Sequence, residues 1–456
     1  MKKLLALALA LVMALALVAC GGNSNDSGSN NNDTPAANND TPANNDTPAT
    51  DDTPAAPSGD VPNNQKPVIW FNRQPSNSQT GELDMEALTF NDKTYYVGFD
   101  AVQGAVLQGE MIVEYLQAQD PATLDRNGDG IIGYVLCIGD IGHNDSIART
   151  RGARLALGTA VPDSTQGKTS VGDINDVDSQ PIGTNTDGSA SDVQDGSITI
   201  GGQTFIVREL ASQEMKNNAG ATWDAPTAGN AIGTWSGAFG DQIDVVVSNN
   251  DGMGMAVFNA WSKENKVPTF GYDANSDAVA AIAEGYCGTI SQNADVQAYL
   301  TLRVLRNALD GVDIMTGIST PDAAGNVLDS SVYKYDEATR CFYALNGAVK
   351  ADNYEAFLDA TAANPSFSNQ VSESDAPTKN VWLDIFNSTD NFLNGTYLPQ
   401  LKNYDKVLNL NVEYISGDGQ TESNITDRLA NPGQYDGFAI NMVKTDNAAA
   451  YTSKLQ

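Results

Sequence analysis

Residues 244–255 read DVVVSNNDGMGM, a β-branched apolar run that breaks at Ser-Asn-Asn-Asp and passes into a helical pattern over 253–263. A wholly apolar strand is buried on both faces, and a strand followed directly by a helix is the unit of a parallel sheet covered on both sides. The unit recurs in both directions. Upstream, "KPVIWF" (66–71) predicts a strand, "AVQGAVLQGEMIVEYLQAQ" (101–119) a helix, "IGYVLCI" (132–138) a strand, 145–157 a helix and "QTFIVREL" (203–210) a strand. Downstream come "VPTFGY" (267–272), a helix over 275–284, "CGTI" (287–290) and a helix over 296–309. After a polar stretch the rhythm resumes with "NVWLDIF" (380–386), a helix over 392–400, "LNLNVEYI" (408–415), a helix over 422–429, "YDGFAIN" (435–441) and a helix over 448–455. The expected fold class is therefore α/β.

Around this body the composition sets limits. Among 456 residues, 25 Lys and Arg face 57 Asp and Glu, a net charge of −32, which excludes the basic face that nucleic-acid binding requires. A single His excludes multi-histidine metal sites and most histidine-based catalysis. Lys2 and Lys3 precede an apolar run over 4–19 that is too short for a membrane span and has the layout of an export signal. It ends in Leu17-Val18-Ala19-Cys20-Gly21, which resembles a bacterial lipobox; that implies a signal peptide over 1–19 and lipid on Cys20 as a membrane anchor outside the cytoplasm. Residues 20–64 repeat "DTPA" in Asn, Asp, Thr and Pro and predict a disordered stalk. Cys137, Cys287 and Cys341 are odd in number and lack metal-ligand spacing; Cys137 and Cys287 read as small core hydrophobes. Residues 158–202 read as a polar surface insertion, with room for a hairpin, and 358–379 as a linker.

In open α/β sheets ligands bind beyond the carboxyl ends of the strands. The residues there are Asn72, His143 with Asp145 and Arg149, Trp223, Asn250 with Asp251, Asp273, Gln292, and Asp390 with Phe392. Planar amide, carboxylate and guanidinium groups match sugar hydroxyls, which both donate and accept, and aromatic rings suit the aliphatic faces of a sugar. The set points to carbohydrate.

"IWFNRQPS" (69–76), "TYYVGFDAVQGAVLQGEMI" (94–112), "GDIGHNDSIART" (139–150), "DVVVSNNDGMGM" (244–255) and "VPTFGYDA" (267–274) resemble segments of the periplasmic glucose/galactose-binding proteins of bacterial ABC importers, in the family's relative order. The resemblance implies sugar contacts from Asn72, His143, Asp145, Arg149, Asn250, Asp273 and Asp390, with Trp223 and Phe392 on opposite faces of the pyranose. Gln292 stands where the family carries a shorter amide. The family's opening units resemble 380–392, 408–421 and 435–456, at the far end of this chain, so a circular permutation is expected. It implies two doubly wound lobes joined by a hinge: one of 65–98, 293–343 and 380–456, the other of 100–291 and 345–357, with crossings near Phe99, Gln292 and Asn346. The expected partners are glucose or galactose, or a pentose, and an importer's membrane subunits, with the protein itself a monomer.

Asp125, Asn127 and Asp129, with Gly130 and the carbonyl of Ile131, fit the first half of an EF-hand loop. Position 12 is Leu136 and position 9 is Gly133, so another anion must complete the shell. The family completes such a loop with a distant carboxylate, a place taken here by Asp244, and structural Ca²⁺ is the expected cofactor. An enzymatic reading would rest on carboxylates alone, such as Asp145 and Asp273 acting as in a glycosidase. Arg149 and the amides around that pair hold carboxylates ionised, where a general acid needs a raised pKa. A surface scaffold of the dockerin type would need two calcium loops, each followed by a helix, and one is present, followed by a strand. No catalytic residue is assigned.

Overall fold

The structure, a computed structural model, describes residues 63–77, 80–184, 194–262, 266–358, 375–385, 390–416, 422–430, 433–442, 444 and 446–455. The signal segment, Cys20, the stalk to residue 62 and residues 359–374 of the linker lie outside them. Strands are β1 (Val68–Phe71), β2 (Thr94–Phe99), β3 (Ile131–Ile138), β4 (Gly183–Thr184), β5 (Gly196–Ile200), β6 (Gln203–Glu214), β7 (Val245–Ser248), β8 (Thr269–Phe270), β9 (Thr289–Ser291), β10 (Tyr333–Asp336), β11 (Cys341–Ala344), β12 (Gly347–Val349), β13 (Lys379–Ile385), β14 (Leu410–Ser416) and β15 (Gly437–Ile440). The principal helices are α1 (Ala101–Ala118), α2 (Asn144–Ala156), α3 (Ala225–Phe239), α4 (Asp251–Ala260), α5 (Ser276–Ala281), α6 (Ala294–Asp310), α7 (Leu398–Val407), α8 (Glu422–Ala430) and α9 (Ala448–Leu455).

A seven-stranded sheet runs β10-β11-β2-β1-β15-β13-β14, parallel except for β10. The C-terminal strand β15 pairs with β1 in register Val68↔Phe438 to Trp70↔Ile440, so strands from both ends of the described chain build one sheet. The period-2 alternation of a strand sorts β1 between two cores. Ile69 and Phe71 pack with α6 and α7, while Val68 and Trp70 face Ile425, Leu429, Tyr451 and Leu455 of α8 and α9. The second sheet runs β4-β6-β3-β7-β8, with β5 antiparallel on β6. In β3, Tyr134, Leu136 and Ile138 face the α1 side and Val135 and Cys137 the α3 and α4 side. Burial pushes the Cys137 thiol up to about 12, as befits a small core hydrophobe.

The chain passes between the two sheets where β2 ends at Phe99, where β9 gives way to α6, and where β11 leads to β12. The last two passages lie side by side because β9 and β12 pair antiparallel, Gly347↔Ser291 to Val349↔Thr289.

Three sequence expectations need correction, and helix α3 was not anticipated: Asp224 caps it, and Ala228, Ala231, Ile232, Trp235 and Phe239 form a buried stripe. The insertion read over 158–202 is anchored more deeply than a surface loop, with Thr159, Asp163, Val177 and Ser179 buried, and the hairpin it had room for forms between β5 and β6. The helix expected from 392 opens as one π-helical turn, Phe392–Tyr397, before α7. Lys379, expected in the linker, is the first residue of β13.

Candidate functional site

The segment Asn249-Asn250-Asp251 after β7 assigns three tasks to three consecutive residues. Asn249 Oδ1 accepts from Ser146 Oγ at 2.8 Å and from the Gly139 amide at 3.1 Å, which fixes the entry of α2. Asn250 caps α4, its Oδ1 accepting from the Met253 amide at 2.9 Å, which leaves its amide nitrogen to the cavity. Asp251 is fully buried and accepts from the Asn275 amide, Tyr286 Oη and Thr289 Oγ1 at 2.9, 3.0 and 2.8 Å. It ties β8 and β9 together, and burial pushes its carboxyl up to about 7.

Helix α2 presents His143, Asp145 and Arg149 from its first turns. His143 Nδ1 accepts from the Asp145 amide at 3.1 Å, which places the imidazole proton on Nε2. Burial first, then the Arg73 and Arg149 charges, push His143 well below its ordinary value, so the ring is a neutral donor. Arg149 stacks on Tyr272 with Cζ 3.5 Å from the ring centroid, and its Nη1 donates to the Asn249 carbonyl at 2.6 Å. Its Nη1 also lies 3.5 Å from Asp273 Oδ1 and its Nη2 3.8 Å from Asp145 Oδ2.

From the passage between the sheets, Gln292 Nε2 donates to Asp273 Oδ1 at 2.5 Å and its Oε1 accepts from Asn72 Nδ2 at 3.3 Å. Asn441 Nδ2 in turn donates to Asn72 Oδ1 at 3.1 Å, so an amide chain runs from one sheet to the other. Asn72, Trp223 and Asp273 hold left-handed backbone, with φ of 57°, 60° and 109°, a strained arrangement typical of residues aimed into a site. Asp390 Oδ1 accepts from the Leu393 amide at 2.8 Å, and Phe392 stacks on Tyr397 at 5.9 Å, which itself stacks on Phe71 of β1.

All ten residues singled out from sequence, Asn72, His143, Asp145, Arg149, Trp223, Asn250, Asp273, Gln292, Asp390 and Phe392, line one cavity. Arg73 and Leu393 complete the lining. Arg73 was missed although it follows Asn72 directly: a lone basic residue in a turn carries no signal until its burial is seen, at 6% exposure. Burial raises Asp145 to about 6 and drives Asp273 and Asp390 upward, opposed by Arg149 and, for Asp145 and Asp390, by Arg73 as well. Trp223 meets His143 edge-on at 5.6 Å, and its indole Nε1 has no hydrogen-bond partner among the described residues. The cavity thus offers carboxylates, amides, a neutral imidazole, two guanidinium groups and two aromatic rings.

The 125–131 loop has the EF-hand turn, with Gly128 and Gly130 at positive φ. Asp125 Oδ1 and Oδ2 accept from the Gly128 and Gly130 amides, both at 2.8 Å, and Asn127 Nδ2 donates to Asp129 Oδ2 at 2.8 Å. Asp244 accepts from the Arg126 and Gly133 amides at 2.9 and 2.8 Å. Among the described residues no group of three or more His, Cys, Asp or Glu is placed to hold a metal. A cation shell at this turn would have to draw on Asn127, the Ile131 carbonyl and water besides the carboxylates.

Residues 64–313 match the family model of a periplasmic binding protein domain, and residues 378–448 match a second model of the same description. The D-galactose/methyl-galactoside binding periplasmic protein of Haemophilus influenzae is 27% identical over 266 residues, 57% of this chain and 61% of that protein. The chain thus spans about three fifths of that relative. A xylitol-binding protein of Mycolicibacterium smegmatis is 34% identical over 99 residues, 21% of this chain and 28% of that protein. A solved ABC transporter solute-binding protein of Bacillus halodurans with bound myo-inositol matches with a TM-score of 0.38 at 18% identity, covering 64% of this chain and 68% of that one.

Proposed function

Because the chain belongs to the type I periplasmic binding proteins, we propose that it captures a single monosaccharide between its two sheets and delivers it to the membrane subunits of an ABC importer. The observation that carries this reading is the convergence of ten polar and aromatic side chains, from both sheets, on one cavity. D-galactose or D-glucose is the proposed ligand, supported by the Haemophilus relative's name and by carboxylates placed to accept from ring hydroxyls. A pentose or pentitol is the second reading, favoured by the length of Gln292, whose side chain spans Asp273 and Asn72 and narrows one wall.

The protein binds and does not react with its ligand. Burial raises both Asp145 and Asp273, contrary to the ionised pair expected from sequence, so this reading rests on the family and not on how the pair titrates. Lipid on Cys20 would keep it outside the cytoplasm at a membrane. A circular permutation accounts for the two matched segments and for β15 pairing with β1, and makes each sheet the centre of one lobe. Structural Ca²⁺ belongs to the same proposal, held by Asp125, Asn127, Asp129, the Ile131 carbonyl and Asp244, with water where Gly133 offers no side chain.

Thermal denaturation with D-galactose, D-glucose, D-ribose, D-xylose and xylitol tests the reading. A ligand at a hundredfold excess over its Kd stabilises by about 2.7 kcal/mol. One hexose should raise the melting temperature and the pentoses much less; a flat response across the panel rejects the proposal.

A further inference from the structure

Tyr272 lies outside the cavity lining, yet it touches both the site and the passages between the sheets. Arg149 rests on its ring face, Cζ 3.5 Å from the centroid, and Phe99, the last residue of β2, packs on it at 6.1 Å. Its hydroxyl donates to Asn346 Oδ1 at 3.0 Å. Asn346 sits between β11 and β12, and its Nδ2 donates to the Asp100 carbonyl at 3.0 Å and to Gln103 Oε1 at 2.6 Å. Its backbone amide donates to the same Gln103 oxygen at 3.1 Å. Asp100 and Gln103 begin α1, just after the chain leaves β2. Two of the passages are therefore fastened to each other, and both to the aromatic shelf under Arg149.

The packing around this knot is tight enough to be specific. A Cβ at Gly104 would lie 1.8 Å from Tyr272 Oη and 3.0 Å from Asn346 Cγ, so a glycine inside α1 is what lets the three elements meet. Tyr272 is wholly buried and Asn346 is 8% exposed, so these hydrogen bonds form away from water, where an unmade bond is penalised most.

We infer that Tyr272 is a positioning residue that couples the passages between the sheets to the orientation of Arg149, so that the spacing of the sheets and the strength of ligand binding are set together. The inference rests on the sugar-capture reading only for its second half. If the Tyr272 hydroxyl holds Asn346 in the arrangement seen, its loss frees the passages while the ring still carries Arg149. Release of ligand then speeds up with little change in its capture, because the bound state depends on both sheets at once.

The test compares Tyr272→Phe, Gln103→Met and Tyr134→Phe in the full-length protein. Tyr134→Phe removes an equally buried hydroxyl, which bonds Thr159 and Glu209 and touches no passage. Gln103→Met removes the acceptor for Asn346 without touching Arg149, and stands in if Tyr272→Phe fails to fold. Dyes are introduced through unnatural amino acids at the exposed Ile206 and Val312, one associated with each sheet, and their separation is read by single-molecule energy transfer without sugar. The expected result is a longer, broader distance distribution for Tyr272→Phe and Gln103→Met, and the wild-type distribution for Tyr134→Phe. With the bound hexose, release should quicken about tenfold in the first two, the factor expected for one buried hydrogen bond. Unchanged distributions in both hinge variants overturn the inference. If no hexose binds the wild type, the sugar reading fails, and the distance measurement still decides this one.

Discussion

At the residue scale, the cavity gathers buried carboxylates, two guanidinium groups and a neutral imidazole. Asp145 illustrates the consequence: burial lifts it to about 6 against the pull of Arg149 and Arg73. Without ligand the folded protein holds its proton more tightly than the unfolded chain does, so this group contributes less stability as pH rises from about 4 through 6. A sugar that donates to the ionised carboxylate reverses the shift and releases the proton. Sugar affinity should therefore increase from pH 5 to 7, and calorimetry near pH 6 in buffers of different ionisation enthalpy should detect proton release. Heats independent of buffer would contradict the placement of Asp145. Gly139 offers a second check. A Cβ there would lie 2.4 Å from the Trp223 ring, so Gly139→Ala should push the indole out of place and weaken binding about tenfold or more, about 1.4 kcal/mol, with the melting temperature nearly unchanged. The ten residues were legible because all but Arg149, which lies more than a turn into α2, follow a strand or open a helix, where an α/β sheet puts its ligand. Asn249 was not, since its task, holding Ser146 and the Gly139 amide, is invisible until α2 and β7 are side by side.

At the element scale, helix α2 is held from below by the segment taken for a surface insertion. Arg151 Nε donates to the Val177 carbonyl at 2.7 Å and Arg154 Nη1 to the Asp178 carbonyl at 2.7 Å. Arg154 also grips Glu209 of β6 at 2.9 and 2.8 Å, with both side chains fully buried. Thr184 of β4 accepts from Trp235 Nε1 at 2.9 Å, so the same segment reaches α3, the helix that follows Trp223. Arg154→Ala leaves Glu209 charged and buried without its partner and should cost about 3–5 kcal/mol by urea denaturation. A loss under about 1 kcal/mol would mean the pair is solvated. Polar composition hid this order, because buried Asp, Ser and Thr look like loop residues until their partners are in place. Helix α3 carried no sequence signal of its own; its buried stripe of Ala228, Ala231, Ile232, Trp235 and Phe239 is short and rich in alanine.

At the scale of the whole molecule, strands β13, β14 and β15 extend the seven-stranded sheet beyond β1, and residues 390–393 after β13 bring Asp390, Phe392 and Leu393 to the cavity. The alternation of strands and helices made the α/β class readable from sequence. Strand order was not readable from the residues; only the resemblance placed 65–98 and 380–456 in one lobe, where β1 and β15 pair more than 360 positions apart. The calcium proposal belongs to this scale too, because Asp244 joins the 125–131 loop to the start of β7. Chelation should lower the melting temperature by about 2 °C or more, the shift roughly expected for a loss of 1 kcal/mol. An unchanged melting temperature removes the metal from the account.

Calorimetric titration of the wild type and of Asp390→Ala with D-galactose and D-glucose tests the central claim most directly. The account predicts one hexose per wild-type chain at micromolar Kd or tighter, and a loss of at least tenfold in Asp390→Ala, because the C-terminal segment supplies part of the site. A folded wild type that binds neither sugar, or an Asp390→Ala variant that binds as tightly as the wild type, would contradict it.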